Sequence, residues 1–346
     1  MSLKNLYDRY ESRLEDFWGR RENDLRFKRG FRIFGCPVEL SSNREEVLES
    51  ADISAVLYSG APGRERQPFR LRFVVRPAAG DAGPPPEDPF DHVRYTGAGD
   101  WIHLGYGPWG SAFADLRSGE AVAVLSAELA ARPDLISRGL LNTLLNNYLT
   151  RNGFAMLHAT GLVRGRGVLM LMAPHNSGKS TTALRLTLSR HFKMLSDSQI
   201  YLSDTNGGLF LAGFPVGRGK LRQDMLPEFP ELQPLITPER VREETKYVLD
   251  LRELDPSLVH DQAVFPEGID LCLLRPNGKH DSAIRPASLE EAWEAVMLNS
   301  LHFDYREIWE ENLRLVESLV SLARLYHLEI GTDGAGIVET VRSIGV

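Results

Sequence analysis

The chain has 346 residues, 42% hydrophobic and 25% charged, a balance that excludes a low-complexity or disordered class. Its 40 lysines and arginines against 47 acids leave a net charge of −7, which argues against broad binding of nucleic acid. Two cysteines, Cys36 and Cys272, exclude a disulfide framework and a cysteine-based zinc site.

The first residues, Met1-Ser2-Leu3-Lys4, lead into a charged segment without the apolar core of a secretory signal, and no run approaches a membrane span. A cytoplasmic protein with no membrane partner is the expectation. Residues 1–29 are charged, with Leu6, Tyr10, Leu14, Phe17 and Trp18 near helical spacing, which predicts a helix packed on the adjoining domain. Segment 31–40 reads as a strand. Ser42-Asn43-Arg44-Glu45 has the form of a capping box opening a short helix. Segment 69–75 alternates as a half-buried strand, and 79–89 is a Pro/Gly/Asp-rich loop. Segments 93–106 and 112–124 read as further strands, with a hairpin turn at Ser118-Gly119. Trp101, Tyr106 and Trp109 read as core or rim aromatics rather than a stacking platform. A helix opens at Pro133, carries Leu135, Leu140, Leu141, Leu144 and Leu145 on its apolar face, and ends at Asn152-Gly153. Residues 30–150 are therefore expected to form a smaller, β-rich α+β domain.

From 151 to 346 strands and helices mix without strict alternation, which predicts an α/β unit on a mixed sheet. Segments 154–163 and 167–173 read as strands joined by the basic turn Arg164-Gly165-Arg166. Segments 191–195, 199–202, 209–212, 247–251 and 269–274 read as later strands. Ser288-Leu289-Glu290-Glu291 is a second capping box, 305–326 a long amphipathic helix, 327–330 a final strand, and a helix opens at Asp333.

The chemistry concentrates where the apolar run Val168-Leu169-Met170-Leu171-Met172 ends. There Ala173-Pro174-His175-Asn176-Ser177-Gly178-Lys179-Ser180 precedes the helical Thr181-Thr182-Ala183-Leu184. Strand, small-residue turn, Gly-Lys-Ser and helix is the layout of a phosphate-binding loop. In the loop from Pro174 to Thr181, the backbone N–H groups of His175 onward and the helix N-terminus supply donors for phosphate oxygens. Lys179 supplies a point charge at the β- and γ-phosphates, and the Ser180 hydroxyl a ligand for Mg²⁺. Ala173 and Asn176 stand where glycines are usual; of the two, asparagine better tolerates a left-handed backbone. Ser196-Asp197-Ser198 follows the next strand, where a carboxylate reaches either the metal or the attacking nucleophile, although such a tripeptide is equally the composition of a turn. Gly213-Phe214-Pro215-Val216-Gly217-Arg218-Gly219-Lys220-Leu221-Arg222 reads as a glycine-rich turn whose cations Arg218, Lys220 and Arg222 clamp phosphates or an anionic acceptor, or are simply solvated.

Leu157-His158-Ala159-Thr160-Gly161, the loop, Ser180-Thr181-Thr182-Ala183-Leu184 and Leu195-Ser196-Asp197 together resemble the catalytic domain of bacterial HPr serine kinase/phosphorylase and its kinase-like relatives, over about residues 154–203. That family shares its fold with ATP-dependent phosphoenolpyruvate carboxykinase. The resemblance implies ATP and Mg²⁺ as cofactors, Lys179 and Ser180 as nucleotide and metal residues, and Asp197 as the base taking the acceptor's proton and a metal partner. It places His158 near the reacting phosphate. It also implies oligomers, since relatives often form them. Three departures stand out: Ser198 replaces the family's second aspartate, the Glu-containing glycine-rich signature is absent around 209–219, and the N-terminal part does not read like the bifunctional enzyme's regulatory domain. The missing signature argues against both phosphorylase activity and HPr as substrate, and the expectation is a kinase acting on a serine-like hydroxyl of a peptide, protein or small molecule. A nucleotide-binding regulatory or scaffold protein is the alternative.

Overall fold

The computed structural model describes residues 3–15, 25–61, 67–76, 83–174, 176–205, 208–241, 244–300 and 306–344. Phe17, Trp18, residues 79–82, His175 and Tyr305, which the sequence singled out, lie outside these. The architecture mixes helices with parallel and antiparallel strands, an α+β arrangement.

The first sheet has seven strands: β1 (Phe27–Ile33), β2 (Cys36–Ser42), β3 (Phe69–Arg76), β4 (Arg94–Ala98), β5 (Trp101–Tyr106), β6 (Gly110–Asp115) and β7 (Glu120–Ser126). Their order is β1-β2-β3-β7-β6-β5-β4. The β2–β3 and β3–β7 pairs are parallel and the rest antiparallel. The N-terminal helix, Leu3–Glu15, lies on this sheet through Tyr7, whose ring meets that of Trp101 at 5.0 Å. Tyr106 is fully buried, and Trp109 packs partly buried against the core.

Three local expectations need correction. Residues 27–30 belong to a strand, because Phe34-Gly35 turns the chain in the left-handed region and folds β1 back on β2. Segment 93–106 is a hairpin, reversed at Gly99 with φ 60. Ser42 does not cap a helix: its hydroxyl accepts from the Arg44 N–H at 3.2 Å, a local turn, and the following one is a 3₁₀ turn, Glu45–Leu48, leading into the helix Glu49–Ala55. The helix opening at Pro133 is real but changes character. Its segment Ile136–Leu141 is π-helical, and Asn142–Arg151 is regular. Gly139 fits there because a Cβ would lie 2.8 Å from Pro89.

The second half is built on β8 (Ala155–Leu157), β9 (Thr160–Arg164), β10 (Gly167–Met172), β11 (Lys193–Ser196), β12 (Gln199–Thr205), β13 (Gly208–Phe214), β14 (Arg218–Leu221), β15 (Thr237–Val241), β16 (Glu244–Asp250), β17 (Gly268–Pro276), β18 (Ala283–Pro286) and β19 (Ala323–Ile330). A six-stranded sheet runs β11-β9-β10-β17-β19-β18, and two three-stranded sheets run β13-β12-β8 and β14-β16-β15. Within the large sheet β10, β17 and β19 are parallel to one another. β9 is antiparallel to both β10 and β11, so β11 shares the direction of β10. All six residues of β10 are buried, as expected of a central strand covered on both faces. One face packs on the helices Lys179–Leu188 and Gly334–Arg342, the other on Leu289–Leu298 and Arg306–Leu322. The capping box at Ser288 is formed in both directions.

The apolar core does not stop at residue 150. Phe34, Tyr58 and Phe154 pack with Tyr201, Phe210 and Phe214 of β12 and β13 in one continuous cluster. The Ser59 N–H donates to the Gly213 carbonyl at 3.2 Å and the Val216 N–H to the Leu57 carbonyl at 2.8 Å, fastening the two halves along the approach to β14. No helix among the described residues is long and apolar enough to cross a membrane.

Candidate functional site

Strand direction determines where the site lies. β10, β11, β17 and β19 share one direction, and the chain leaving their C-terminal ends carries Pro174, Asp197, Pro276 and Ile330. β9 runs the other way, so its start brings His158 and Thr160 to the same edge. These ends surround a cavity of about 300 Å³, where open α/β sheets place their ligands.

The loop between β10 and the helix Lys179–Leu188 forms its floor. The chain leaves β10 at Ala173, passes Asn176 at φ 60 and Gly178 at φ 90, and enters the helix Lys179–Leu188. Asn176 thus takes up the left-handed conformation that its type tolerates. Ala173 is not among the described residues with positive φ, so the position needs no glycine. At Gly178 a side chain is excluded twice, by its φ and by Ile330 Cδ1, which would lie 2.9 Å from a Cβ. The Ser177 hydroxyl closes the turn by donating to the Pro174 carbonyl at 2.9 Å. No side chain caps the helix, so its first N–H groups face the cavity region as donors. Pro174, Asn176, Ser177, Gly178, Lys179, Ser180 and Thr181 all line the cavity.

Lys179 folds back into the site. Its Nζ donates to the Ala173 carbonyl at 2.7 Å and lies 3.4 Å from Nε2 of His158. An ammonium only donates, so a hydrogen bond across this contact uses Nε2 as its acceptor. Burial pushes the Lys179 pKa down, opposed by the charge of Asp197. His158 reaches the site because segment 154–163 is not one strand. It breaks at His158-Ala159 into β8 and β9, which join different sheets, and leaves the histidine exposed.

Asp197 lies opposite. It is 5% exposed, and the Thr160 hydroxyl donates to its Oδ1 at 3.2 Å. Its Oδ2 is buried with no hydrogen-bond partner among the described residues. Burial pushes this carboxyl up to about 6, against the opposing pull of Ser180, Lys220, Thr160 and Lys179. Oxygen donors at Asp197 and Ser180 are the kind that magnesium accepts, and an unpartnered buried carboxylate oxygen fits such an ion. Among the described residues no cluster of three His, Cys, Asp or Glu side chains could hold a metal alone. A magnesium ion here would need phosphate oxygens and water to complete its shell. Ser198 is engaged otherwise: its hydroxyl accepts from Lys220 Nζ at 3.5 Å.

The facing wall is the β14-β16-β15 sheet. Residues 218–221 form a strand rather than the glycine-rich turn expected, since they pair with residues 247–250, a distant partner invisible in local composition. Lys220 lines the cavity, and burial pushes its pKa down against the charge of Asp197. Arg222 also lines it, paired with Asp224 at 3.0 Å. Arg218 is not part of the lining. Lys246, on β16, is a lining residue that the sequence reading passed over; the alternation Glu244, Lys246, Val248 held the signal, because Val248 opposes Lys220 and so shares its face. Replacing Lys220 with Ala is expected to lower any turnover at this site or raise its apparent Michaelis constant at least about tenfold. Unchanged steady-state kinetics would remove this wall from the site.

No family model matches the chain, and no curated protein matches it. Among solved structures, that of the Hpr(Ser) kinase/phosphatase from Coxiella burnetii matches over 54% of this chain and 93% of that chain, at 14% identity and a TM-score of 0.26. The relationship is a distant structural one, and the chemistry of the site rests on its own geometry.

Proposed function

We propose that this chain is an ATP- and Mg²⁺-dependent kinase that transfers the γ-phosphoryl group to a hydroxyl, serine-like, of a peptide, protein or small molecule. The observation that carries this reading is the buried Asp197 carboxyl, facing the same cavity as Lys179 and the uncapped helix start of a phosphate-binding loop. In this reading residues 151–346 are the catalytic unit, residues 30–150 an accessory layer, and residues 1–29 a helical N-terminal segment.

The loop amides and Lys179 hold the β- and γ-phosphates and offset charge as it shifts toward the leaving oxygen. Bound magnesium, held by Ser180 and Asp197, would add charge neutralisation to the phosphates. Asp197 orients the acceptor hydroxyl and takes its proton as the new oxygen–phosphorus bond forms and the β–γ bridge breaks, leaving ADP. His158, 3.4 Å from the Lys179 ammonium, helps position it near the reacting phosphate. Such a base works only when ionised. With its carboxyl pushed up to about 6, kcat/KM is expected to rise through about pH 6 and level off above it. A profile flat from pH 5 to 8 would take the base role from Asp197.

A second reading, a nucleotide-gated binding protein with little transfer, draws on Ser198, whose hydroxyl pairs with Lys220 where the family pattern has a carboxylate. One experiment separates the two. The protein is incubated with Mg²⁺ and γ-labelled ATP in the presence of cell extract, serine-containing peptides and a metabolite pool, with Lys179→Ala in parallel. Label on one acceptor, lost in the variant, supports the kinase. Nucleotide binding without transfer to any acceptor supports the binding protein.

A further inference from the structure

The wall of the cavity contains an unresolved competition of charge that a residue outside the site settles. Lys220 and Lys246 share one face of the β14-β16-β15 sheet, and Glu239 on β15 stands directly opposite Lys246 in the register, on that same face. The Glu239 charge is felt at Lys220. A carboxylate placed across from a lysine on neighbouring strands ordinarily pairs with it, and a lysine so paired is a poorer partner for phosphate.

Glu239 has a different ion-pair partner. Its Oε1 lies 2.6 Å from Nη2 of Arg138, with the two side chains 23% and 19% exposed. Arg138 belongs to the other half of the molecule. It projects from the π-helical segment Ile136–Leu141, and its guanidinium sits over the Phe90 ring at 5.9 Å. Lys246 is left with Glu244 at 3.8 Å, the outer limit of an ion pair. The backbone bonds from Leu57 and Ser59 to Val216 and Gly213 hold the two halves in place at the start of the same wall.

We propose that Arg138 is a positioning residue for the phosphate site: by sequestering Glu239 it leaves Lys220 and Lys246 available to an anionic ligand. The accessory layer thereby sets the affinity of a site to which it contributes no lining residue among those described. This rests on the reading of the cavity as a nucleoside triphosphate site.

The two partners of an ordinary structural ion pair respond alike when either is removed. The present arrangement predicts opposite responses. The test uses the full-length chain with Mg²⁺ and a fluorescent methylanthraniloyl derivative of ATP, for the parent protein, Arg138→Ala, Glu239→Gln and the double variant, with melting curves for each. Arg138→Ala is expected to weaken binding about tenfold, because Glu239 turns to the lysines. Glu239→Gln is expected to bind as tightly as the parent or more so. The double variant is expected to return to within about twofold of the parent. Equal weakening in both single variants, with no recovery in the double, overturns the proposal. Should Arg138→Ala not fold, Glu239→Gln alone decides: tenfold weaker binding there overturns it, and parental or tighter binding supports it. If the parent protein binds no nucleotide, the triphosphate reading falls, and this inference falls with it.

Discussion

Asp197→Asn is expected to lower phosphoryl transfer by about 10²–10⁴-fold while making the folded protein more stable above pH 6. The two effects share a cause. The carboxyl ordinarily titrates at 3.8 and is pushed up to about 6 by burial, so the folded state holds its proton more tightly than the unfolded state does. Stability from this group is therefore present in acid and lost as pH rises from about 4 through about 6. A gap of about two units corresponds to roughly 3 kcal/mol, and an asparagine amide left without an acceptor at the Oδ2 position costs about 1–3 kcal/mol of that. The net gain at pH 8 is on the order of 1 kcal/mol, but its pH dependence is the sharper signature. Melting curves between pH 4 and 8 should show the parent losing ground to the variant as pH rises. Parallel curves would mean that the buried carboxylate carries no such cost. Binding of nucleotide without Mg²⁺ should be nearly intact in the variant, since the loop donors are untouched.

The second large effect is expected at Lys179→Met. The ammonium is buried, its pKa is pushed down by desolvation, and it is held on the Ala173 carbonyl beside His158. Methionine keeps the length and removes the charge. Titration calorimetry with Mg²⁺ and ATP should show affinity at least about a hundredfold lower, the loss of a charge-assisted contact to two phosphates. The melting temperature should hold or rise, because a desolvated charge has been removed from the folded state. A fall of many degrees would instead make Lys179 a structural residue. With one cation fewer near Asp197, any residual activity should titrate at higher pH than in the parent.

The geometry of the loop from Ala173 to Ser180 was legible because each of its demands is local. An all-apolar strand, a left-handed asparagine and glycine, and a lysine at the helix start are written in consecutive residues. The Ser288 capping box and the strands β12 and β13 were legible for the same reason. What failed depended on distant partners. The break at His158-Ala159 follows from β8 joining β12 while β9 joins β10 and β11, which no periodicity in 154–163 reports. β14 is a strand only because β16 lies beside it. The helix expected to reach residue 326 ends at Leu322, because residues 323–330 pair in parallel with β17 along its length. Lys246 entered the site by the same route, through a sheet register rather than a motif.

The aromatic cluster that crosses residue 150 has a practical meaning for how this protein can be divided. A cut at that point would strip Phe34 and Tyr58 from Tyr201 and Phe214 and leave an oily scar on each fragment. The fragment carrying the phosphate loop would also lose the anchors that hold its approach to β14. The candidate site, in this chain, is not a removable cassette.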